Sequence, residues 1–247
     1  MFELAGKTAL VTGAAKRIGK ATAVGLAKQG SNVIIHYDRS ESEAEELRNE
    51  IVELGVKSWL VKANLRDSES CKLLIEESRR MAGAIDVLVN NASVFSASDV
   101  YNVKLEDIEV EMLTNAWAPF LLTRHFSEKT EGGKVVNILD TRVAGYDFNH
   151  FAYYLSKKML EILTKSMALK LAPRISVNGV APGLILPPEG MDYTYLEEKK
   201  DTVPLKKYGS PSDIVETVLF LLKSDFITGQ VVYVDGGKNL IQTIEGL

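Results

Sequence analysis

The sequence has little of the material from which disulfide-bonded, metal-binding or membrane-spanning proteins are built. It contains one cysteine, Cys71, in a charged stretch without another cysteine or a histidine at metal-ligand spacing. We therefore expect no disulfide and no metal site, and interpret Cys71 as a passive thiol. No run approaches the roughly 18 apolar residues of a membrane span, and the first residues lack the charged region of a signal peptide. These absences predict a cytoplasmic protein with no membrane partner.

The chain also lacks an excess of positive charge. Its 29 basic and 33 acidic residues are interspersed and give a formal net charge of -4. Binding to nucleic acid needs a basic stripe that neutralises the phosphate backbone, so nucleic acid is not an expected partner. There is no internal repeat, low-complexity segment or linker rich in glycine, serine or proline. We predict a single domain over residues 1–247.

Short apolar runs alternate with charged, helix-patterned segments, as in repeated strand–helix–strand units. From Glu41 to Leu54, for example, apolar residues recur at helical spacing while charged residues face the other side. The pattern predicts an α/β protein with a Rossmann-type doubly wound sheet of about seven parallel strands and helices on both faces. The predicted strands are Lys7 to Val11, Val33 to Tyr37, Ser58 to Val61, Ile85 to Asn90, Val135 to Leu139, Ile175 to Val180 and Val231 to Val234.

One segment, from about residue 183 to residue 204, fits neither the strand nor the helix pattern. It contains the sequence LPPEG and is too long and irregular for a simple turn. Loops of this length in compact domains are usually lids or binding loops. We therefore expect this segment to form part of a substrate site.

The first predicted strand is followed by a turn suited to binding phosphate. Gly13 and Gly19 lie in the sequence TGAAKRIG, between that strand and a helical stretch from Lys20 to Gln29. Gly13 would let the chain turn tightly, and Gly19 would let the helix pack closely with its first N–H groups facing a pyrophosphate. The strict G-x-G-x-x-G spacing is absent, so this turn alone could also be structural.

The end of the second strand bears on the choice of dinucleotide. Arg17, Arg39 and Ser40 could together hold the 2′-phosphate of NADP, because guanidinium groups bind phosphate in a bidentate manner. Asp38 favours NAD instead, since a carboxylate in this region commonly binds the ribose 2′-hydroxyl and repels a phosphate. However, Asp38 lies one residue past the predicted strand end, where it can point to solvent. We predict NADP(H) as the cofactor, with NAD(H) as the alternative.

A tyrosine and a lysine four residues apart mark a candidate proton-transfer site. Tyr153 and Lys157 would share one face of a helix, as would Tyr154 and Lys158. An ammonium group near a phenol favours the phenolate and lowers the tyrosine pKa, which suits a proton donor at physiological pH. The spacing is common by chance, so its weight depends on the motifs around it.

Those motifs occur in the order found in the short-chain dehydrogenase/reductase family, and the resemblance spans essentially the whole chain. They are TGAAKRIG at 12–19, NNAS at 90–93, Asn115, YYLSK at 153–157, PG at 182–183 and VDGG at 234–237. The resemblance implies that Tyr153 donates a proton, that Lys157 binds the nicotinamide ribose and lowers the tyrosine pKa, and that Asn115 supports a proton-relay water. It favours Tyr153 over Tyr154, because a serine precedes the lysine as in the family pattern.

Two departures from the usual family pattern point to a subgroup. Arg17 replaces the usual second glycine of the turn, and Asp140 replaces the catalytic serine thirteen residues before Tyr153. An ionised carboxylate would repel the oxyanion of a ketone under reduction, whereas a carboxyl group beside a tyrosine suits proton delivery to the nitrogen of a C=N bond. With Ser93 and Phe95, these departures resemble pteridine reductases and dihydromonapterin reductases, in which this phenylalanine stacks on the pterin.

Three interpretations of the function follow. The first is an NADPH-dependent reductase that transfers hydride to a C=N bond of a dihydropterin, of the dihydromonapterin, dihydrobiopterin or dihydrofolate type. The second is a reductase of 3-oxoacyl thioesters or other ketones. Asp140 argues against it, although Asp140 could instead cap a loop while Thr141 supplies the hydroxyl. The third is a dinucleotide-binding regulator without catalysis, since a fold does not fix function. Asn115, Tyr153 and Lys157 argue against that one.

The resemblance also assigns a full set of site residues and an assembly. The predicted catalytic residues are Asp140, Tyr153, Lys157 and Asn115. The predicted cofactor-binding residues are Gly13, Arg17, Ile18, Gly19, Arg39, Ser40, Asn64, Leu65, Asn91, Ala92, Ser93, Lys157, Pro182 and Gly183. The predicted substrate-binding residues are Ser93, Phe95, Asp140 and Tyr153. The expected assembly is a homotetramer with interfaces around Glu109 to Phe126 and Tyr153 to Leu171.

Overall fold

A parallel sheet of seven strands organises the chain, of which the computed structural model describes residues 2–241 and 244–245. The strand order is β3-β2-β1-β4-β5-β7-β8, and every neighbouring pair is parallel. All seven predicted strands are present, so the predicted fold class is confirmed. Their bounds are β1 Thr8–Val11, β2 Asn32–Tyr37, β3 Ser58–Lys62, β4 Val87–Asn90, β5 Gly133–Ile138, β7 Ile175–Pro182 and β8 Val231–Val234.

Helices cover both faces of this sheet, because alternate residues of each strand point to opposite sides. In β1, Ala9 and Val11 pack in the core under helices α1, α2 and α8, whereas Leu10 packs in the core under α3 and α5. Both faces are therefore apolar, as expected for a buried parallel sheet. The helices are α1 Arg17–Lys28, α2 Glu41–Glu53, α3 Ser68–Ala82, α4 Leu105–Met112, α5 Ala118–Lys129, α6 Phe151–Leu171, α7 Thr194–Lys199 and α8 Pro211–Lys223.

Two segments differ from the sequence prediction. The segment 183–204, expected to be irregular, contains α7 and a 3₁₀ turn, Lys200–Thr202, because Leu196 is fully buried and anchors this short helix. The stretch Glu109 to Phe126 is not one continuous helix. A π-helical turn, Leu113–Trp117, joins α4 to α5, and such turns often occur at functional sites.

A short second sheet lies beside α6 and the 3₁₀ turn Thr141–Ala144. The strand β6 (Tyr146–Asp147) pairs in parallel with β9 (Ile244–Glu245).

Cys71 is buried in α3, and burial raises the pKa of its thiol to about 12, as expected for a passive thiol. Within the described residues, no helix is both long and apolar enough to cross a bilayer.

Candidate active site

A cleft of about 960 Å³ lies where the strands of the sheet end. Its walls come from the segments that follow β1, β2, β3, β4, β5 and β7, because parallel strands all end at the same edge of a sheet. Every predicted site residue lines this cleft except Asn115, which is buried behind it. The sequence therefore predicted residues that the fold brings together.

The turn between β1 and α1 leaves room for a phosphate. Gly13 has a φ of +59°, and a Cβ on Gly19 would lie 2.3 Å from the Gly13 carbonyl oxygen and 2.5 Å from Asn91 Nδ2. No side chain caps α1, and no acidic residue lies in its first turn. Its first N–H groups are therefore suited to an anion such as a pyrophosphate.

Arg17, where the family usually has a glycine, adopts a left-handed backbone conformation with a φ of +56°. This conformation is uncommon for a residue with a side chain. The guanidinium of Arg17 donates to the carbonyl oxygen of Pro187 at 2.6 Å. The turn that faces the cofactor site is thus linked directly to the 183–204 segment.

His36, which the sequence reasoning did not single out, holds this turn in place through a hydrogen bond. The Gly13 N–H donates to His36 Nδ1 at 3.0 Å, and His36 Nε2 lies 3.1 Å from the Ala63 carbonyl oxygen. The ring therefore carries its proton on Nε2. Burial lowers the pKa of His36 to about 4, so the ring is neutral at physiological pH. The residue could have been suspected from its place at the end of a buried strand.

The far end of the cleft carries the residues predicted to choose the dinucleotide. The side chain of Arg39 is 84% exposed, and its Nε lies 3.5 Å from Asp38, which is 49% exposed. Because β2 ends at Tyr37, Asp38 lies one residue past the strand, as the sequence indicated. Ser40 precedes α2 and faces the same cleft.

At the other end of the cleft, α6 and the segment after β5 bring three predicted catalytic residues together. The Tyr153 hydroxyl donates to Asp140 Oδ2 at 2.9 Å. The ammonium of Lys157 donates to the Ile138 carbonyl at 2.9 Å and lies 5.6 Å from the centre of the Tyr153 ring. Tyr154 instead packs against the ring of Tyr146 at 6.1 Å between centroids. Tyr153 is therefore the tyrosine that faces this cluster.

The expectation that the pKa of Tyr153 is lowered is wrong. Burial and the neighbouring Asp140 carboxylate raise the pKa of Tyr153 well above its usual value, and the opposing effect of Arg142 is smaller. Burial also lowers the pKa of Lys157 to about 8. At neutral pH the tyrosine is thus a protonated hydroxyl next to a largely charged lysine.

Asn115 is fully buried, and its amide is engaged with the protein. Its Oδ1 accepts from the Val94 N–H at 2.8 Å and from the Ser93 hydroxyl at 3.1 Å. Its Nδ2 lies within 3.0 Å of the Val94 carbonyl, Glu111 and the Ser156 hydroxyl. The side chain therefore links the loop after β4 to α6.

Glu111, a buried carboxylate that the sequence reasoning missed, supports this amide. Its Oε1 accepts from the N–H and the hydroxyl of Ser96 at 2.8 and 2.7 Å, and its Oε2 accepts from Asn115 at 2.6 Å. Burial raises the pKa of Glu111. No periodic pattern marks this residue, because it occupies a position on α4 where an apolar residue would be expected.

Phe95 reaches into the cleft from the loop that Glu111 and Asn115 hold. Its ring stacks on His150 at 4.3 Å and meets Tyr153 edge-on at 4.7 Å. It is 48% exposed, so part of the ring is open to a ligand in the cleft. The guanidinium of Arg142 lies 5.3 Å from the ring centre.

Asp147 is fully buried and contacts both Arg142 and His150. Its carboxylate accepts from Arg142 Nε at 2.6 Å and lies 3.0 Å from His150 Nδ1. Arg142 in turn places Nη1 3.2 Å from Asp140 Oδ2. Although burial acts in the opposite direction, hydrogen bonding to His150 and the charge of Arg142 lower the pKa of Asp147 to about 2. The position of Asp140 is thus fixed by two ion pairs in series.

Comparisons with known proteins match the whole site region. A family model described as enoyl-(acyl carrier protein) reductase matches residues 13–239. The 3-oxoacyl-[acyl-carrier-protein] reductase FabG of Staphylococcus aureus is 34% identical over 94% of this chain and 97% of its own length. FabG of Aquifex aeolicus is 37% identical, over 96% of this chain and 98% of its own. This chain belongs to the short-chain dehydrogenase/reductase family.

Solved structures of this short-chain dehydrogenase/reductase fold include a second kind of relative. The FolM alternative dihydrofolate reductase 1 of Brucella canis, solved with NADP, is 34% identical. It superposes with a TM-score of 0.89 over 97% of this chain and 96% of its own. A blue fluorescent protein from a metagenomic library, solved with NADPH, is 31% identical, with a TM-score of 0.88 over 96% of this chain and 99% of its own. The relatives thus include both a ketoacyl reductase and a dihydrofolate reductase.

The alternative in which Thr141 supplies a hydroxyl to this short-chain dehydrogenase/reductase site is not supported. Thr141 is buried, and its hydroxyl donates to Asp235 rather than lining the cleft. The same alternative also expected Asp140 to cap a loop, and this part is correct. The Asp140 carboxylate accepts from the Arg142 N–H at 2.8 Å and caps the 3₁₀ turn Thr141–Ala144. Asp140 therefore caps the turn and contacts Tyr153 at the same time.

Proposed function

We propose that this chain is an NADPH-dependent reductase of a dihydropterin, which adds hydride and a proton across a C=N bond. The observation that carries the proposal is the hydrogen bond from the Tyr153 hydroxyl to the Asp140 carboxylate, 2.9 Å long, at the inner end of the cleft. A carboxylate at this position would repel the oxyanion of a ketone but can pass a proton to nitrogen. The similarity to a dihydrofolate reductase over nearly the whole chain supports the same conclusion.

The cleft fits an extended dinucleotide. The uncapped start of α1 would hold the pyrophosphate, Arg39 and Ser40 would bind the 2′-phosphate, and Lys157 would bind the nicotinamide ribose. A bound reduced nicotinamide supplies the hydride in this chemistry. The exposed guanidinium of Arg39 favours NADPH over NADH, because phosphate binding gains a charge-assisted hydrogen bond there.

The proton comes from the residues of the chain. Tyr153 stays protonated at neutral pH because burial and Asp140 raise its pKa. Asp140 accepts that proton and relays it to the substrate nitrogen as the neighbouring carbon receives the hydride, so the C=N bond becomes CH–NH. The charge of Lys157 stabilises the tyrosinate left behind, and Arg142 and Asp147 keep Asp140 in place.

The exposed face of Phe95 would hold the pterin. Because the ring lies 4.7 Å from Tyr153, a heterocycle stacked on it would lie close to the proton donor. Offset stacking of two aromatic rings contributes about 0.5–1.5 kcal/mol beyond the burial of their area. The stacking ring thus orients a planar substrate beside Tyr153 and Asp140.

The second candidate is a reductase of 3-oxoacyl thioesters. It is favoured by the FabG relatives, which are 34–37% identical over nearly their whole length. Asp140 argues against it for this chain, because its carboxylate accepts the hydrogen bond of Tyr153 and the neighbouring Thr141 turns its hydroxyl to Asp235.

Substitution of Asp140 tests the proposal. Asp140→Asn preserves the shape of the side chain but removes the proton relay, so dihydropterin turnover should fall roughly a hundredfold or more. Asp140→Ser removes the negative charge and adds a hydroxyl, so reduction of ketones should rise or appear. Phe95→Ala should instead raise the pterin KM without changing the affinity for NADPH. Full pterin turnover by Asp140→Asn would contradict the proposal.

We also propose a homotetramer located in the cytoplasm. The segments expected at its interfaces expose large apolar side chains, namely Trp117, Ile162 and Leu169. Such side chains favour burial against another copy. Light scattering coupled to size-exclusion chromatography tests the assembly, and a monomeric mass would contradict it.

A further inference from the structure

The residues on both sides of Phe95 are bonded to the same helical segment. The N–H and the carbonyl oxygen of Val94 bond to the amide of Asn115, at 2.8 and 2.9 Å. The N–H and the hydroxyl of Ser96 both donate to Glu111 Oε1, at 2.8 and 2.7 Å. The backbone before and after Phe95 is therefore fastened to α4 and the π-helical turn that follows it.

Glu111 and Asn115 act together in this contact. They lie four residues apart, and Asn115 Nδ2 donates to Glu111 Oε2 at 2.6 Å. One oxygen of the carboxylate thus holds Ser96 directly, and the other orients the amide that holds Val94. A glutamine would have a single acceptor oxygen for these two tasks, because its other terminal atom is a donor.

The buried charge of Glu111 is unfavourable by itself. The residue is 1% exposed on α4, and burial raises its pKa. The hydrogen bonds from Ser96 and Asn115 and the charge of Lys157 act in the opposite direction. Because a charge buried without partners costs much more free energy than an apolar side chain, these contacts account for a carboxylate at this position.

We propose that Glu111 is a positioning residue that holds Phe95 in place for the planar substrate. This inference rests on the proposed function, in which the pterin stacks on Phe95. It goes further by assigning control of the substrate affinity to a buried side chain that does not touch the substrate. Since Tyr153 and Asp140 lie on other segments, a change at Glu111 should act on substrate binding more than on the chemical step.

A double-mutant cycle tests whether Glu111 acts through Phe95. The KM and kcat for 7,8-dihydrobiopterin and 7,8-dihydrofolate, and the Kd for NADPH, are measured for the native protein, Glu111→Gln, Phe95→Ala and the double variant. Glutamine preserves the shape of glutamate but not its two acceptors. Glu106→Gln is the control, since it removes an exposed carboxylate from the same helix.

We expect Glu111→Gln to raise the KM for a dihydropterin roughly tenfold, because one of the two supports of Phe95 is lost. The kcat and the Kd for NADPH should each change less than about threefold. In the Phe95→Ala background the same substitution should change the KM less than about twofold, because the ring through which it acts is gone. Glu106→Gln should match the native protein in every quantity.

Hydrogen–deuterium exchange gives a second measurement that needs no substrate. The N–H groups of Val94 and Ser96 are both bonded to this pair, so the segment 93–98 should exchange faster in Glu111→Gln than in Glu106→Gln. Ser96→Ala removes one donor of the same contact from an exposed position, where folding is not at risk. It should raise the KM for the dihydropterin in the same direction, roughly threefold.

The outcomes separate this inference from the proposed function. If the native protein reduces a dihydropterin but Glu111→Gln leaves the KM unchanged, or raises it by the same factor with and without Phe95, the positioning role is wrong and the proposed function stands. Losses of kcat and of NADPH affinity as large as the change in KM would also contradict it. If the native protein reduces neither dihydropterin, the proposed function fails and this inference with it.

Discussion

At the scale of single residues, two neighbouring groups of opposite charge act on the pKa of the Tyr153 hydroxyl. Asp140 accepts its proton in a hydrogen bond and raises its pKa, while Arg142, which pairs with Asp140, acts in the other direction. Since burial adds to the effect of Asp140, the hydroxyl is protonated across the physiological range. Tyr153 therefore carries a proton at physiological pH and cannot accept one.

Removing this hydroxyl should separate catalysis from binding. Tyr153→Phe deletes one oxygen and little volume, so we expect turnover to fall roughly a hundredfold or more, with the Kd for NADPH changed less than twofold. The control is Tyr154→Phe, whose ring packs on Tyr146 and which should retain near-native turnover. Steady-state kinetics and fluorescence titration with NADPH measure the two quantities. Loss of turnover in the control instead would show that the wrong tyrosine has been assigned.

His36 makes the stability of the fold depend on pH. The folded protein has a His36 pKa of about 4, against 6.5 for an unperturbed histidine, so between these values only the unfolded chain binds the proton. Unfolding therefore becomes easier as the pH falls from 6.5 to 4, by about 3 kcal/mol, and this contribution is absent above pH 6.5.

His36→Asn is the matched variant for this effect. Its amide oxygen can accept the Gly13 N–H in place of Nδ1 but does not titrate. The free energy of unfolding from urea titrations should decline less steeply between pH 6.5 and pH 4 for this variant than for the native protein. Identical slopes for the two proteins would contradict the assignment of a buried neutral histidine.

At the scale of elements, the turn from β1 to α1 combines a glycine with a strained arginine. Gly13 and Arg17 both have positive φ values, and Arg17 also reaches the Pro187 carbonyl. The same guanidinium lines the cleft near Arg39. The turn is therefore linked directly to the 183–204 segment.

Two substitutions test how this turn selects the cofactor. Arg17→Gly keeps a backbone conformation that glycine adopts freely, and Arg39→Ala removes the exposed guanidinium. Together they should reduce the preference for NADPH over NADH, measured as a ratio of kcat/KM values, roughly tenfold or more. Arg80→Ala, which removes an exposed arginine paired with Glu77 on α3, is the control. Equal use of NADH by the native protein would show that Asp38 decides the choice.

The elements differ in how well their sequence predicts them. The strands were predictable because each is a short apolar run bounded by turn residues, and both faces of the sheet are buried. The helix α7 was not, because its burial depends on Leu196 alone and its other residues are polar. The π-helical turn at Leu113–Trp117 has no sequence signal, since it depends on an i to i+5 bonding pattern.

The residues of the site also divide into those that the sequence predicts and those that it does not. Tyr153, Lys157 and Asp140 could be predicted because their spacing and order along the chain carry the family pattern. The support from Glu111, Asp147 and His36 could not, because it depends on the burial of these polar side chains and, for His36, on a contact with Gly13 that only the fold creates. The pKa of Tyr153 was predicted in the wrong direction for the same reason, since burial and the Asp140 carboxylate raise it only in the fold.

At the scale of the whole molecule, one edge of the sheet gathers the site. Six segments that follow parallel strands form the cleft, with Arg39 and Ser40 toward one end and the Tyr153 cluster toward the other. The topology of the sheet, rather than any one segment, thus assembles the site.

The central claim is that this site reduces a C=N bond of a dihydropterin rather than a ketone. It is tested most directly by the kcat/KM of the native protein for 7,8-dihydrofolate, 7,8-dihydrobiopterin and acetoacetyl-coenzyme A, followed through the absorbance of NADPH. We predict that at least one dihydropterin is reduced with a kcat/KM roughly a hundredfold or more above that of the thioester. A kcat/KM for the thioester equal to or above those of both dihydropterins would contradict the claim.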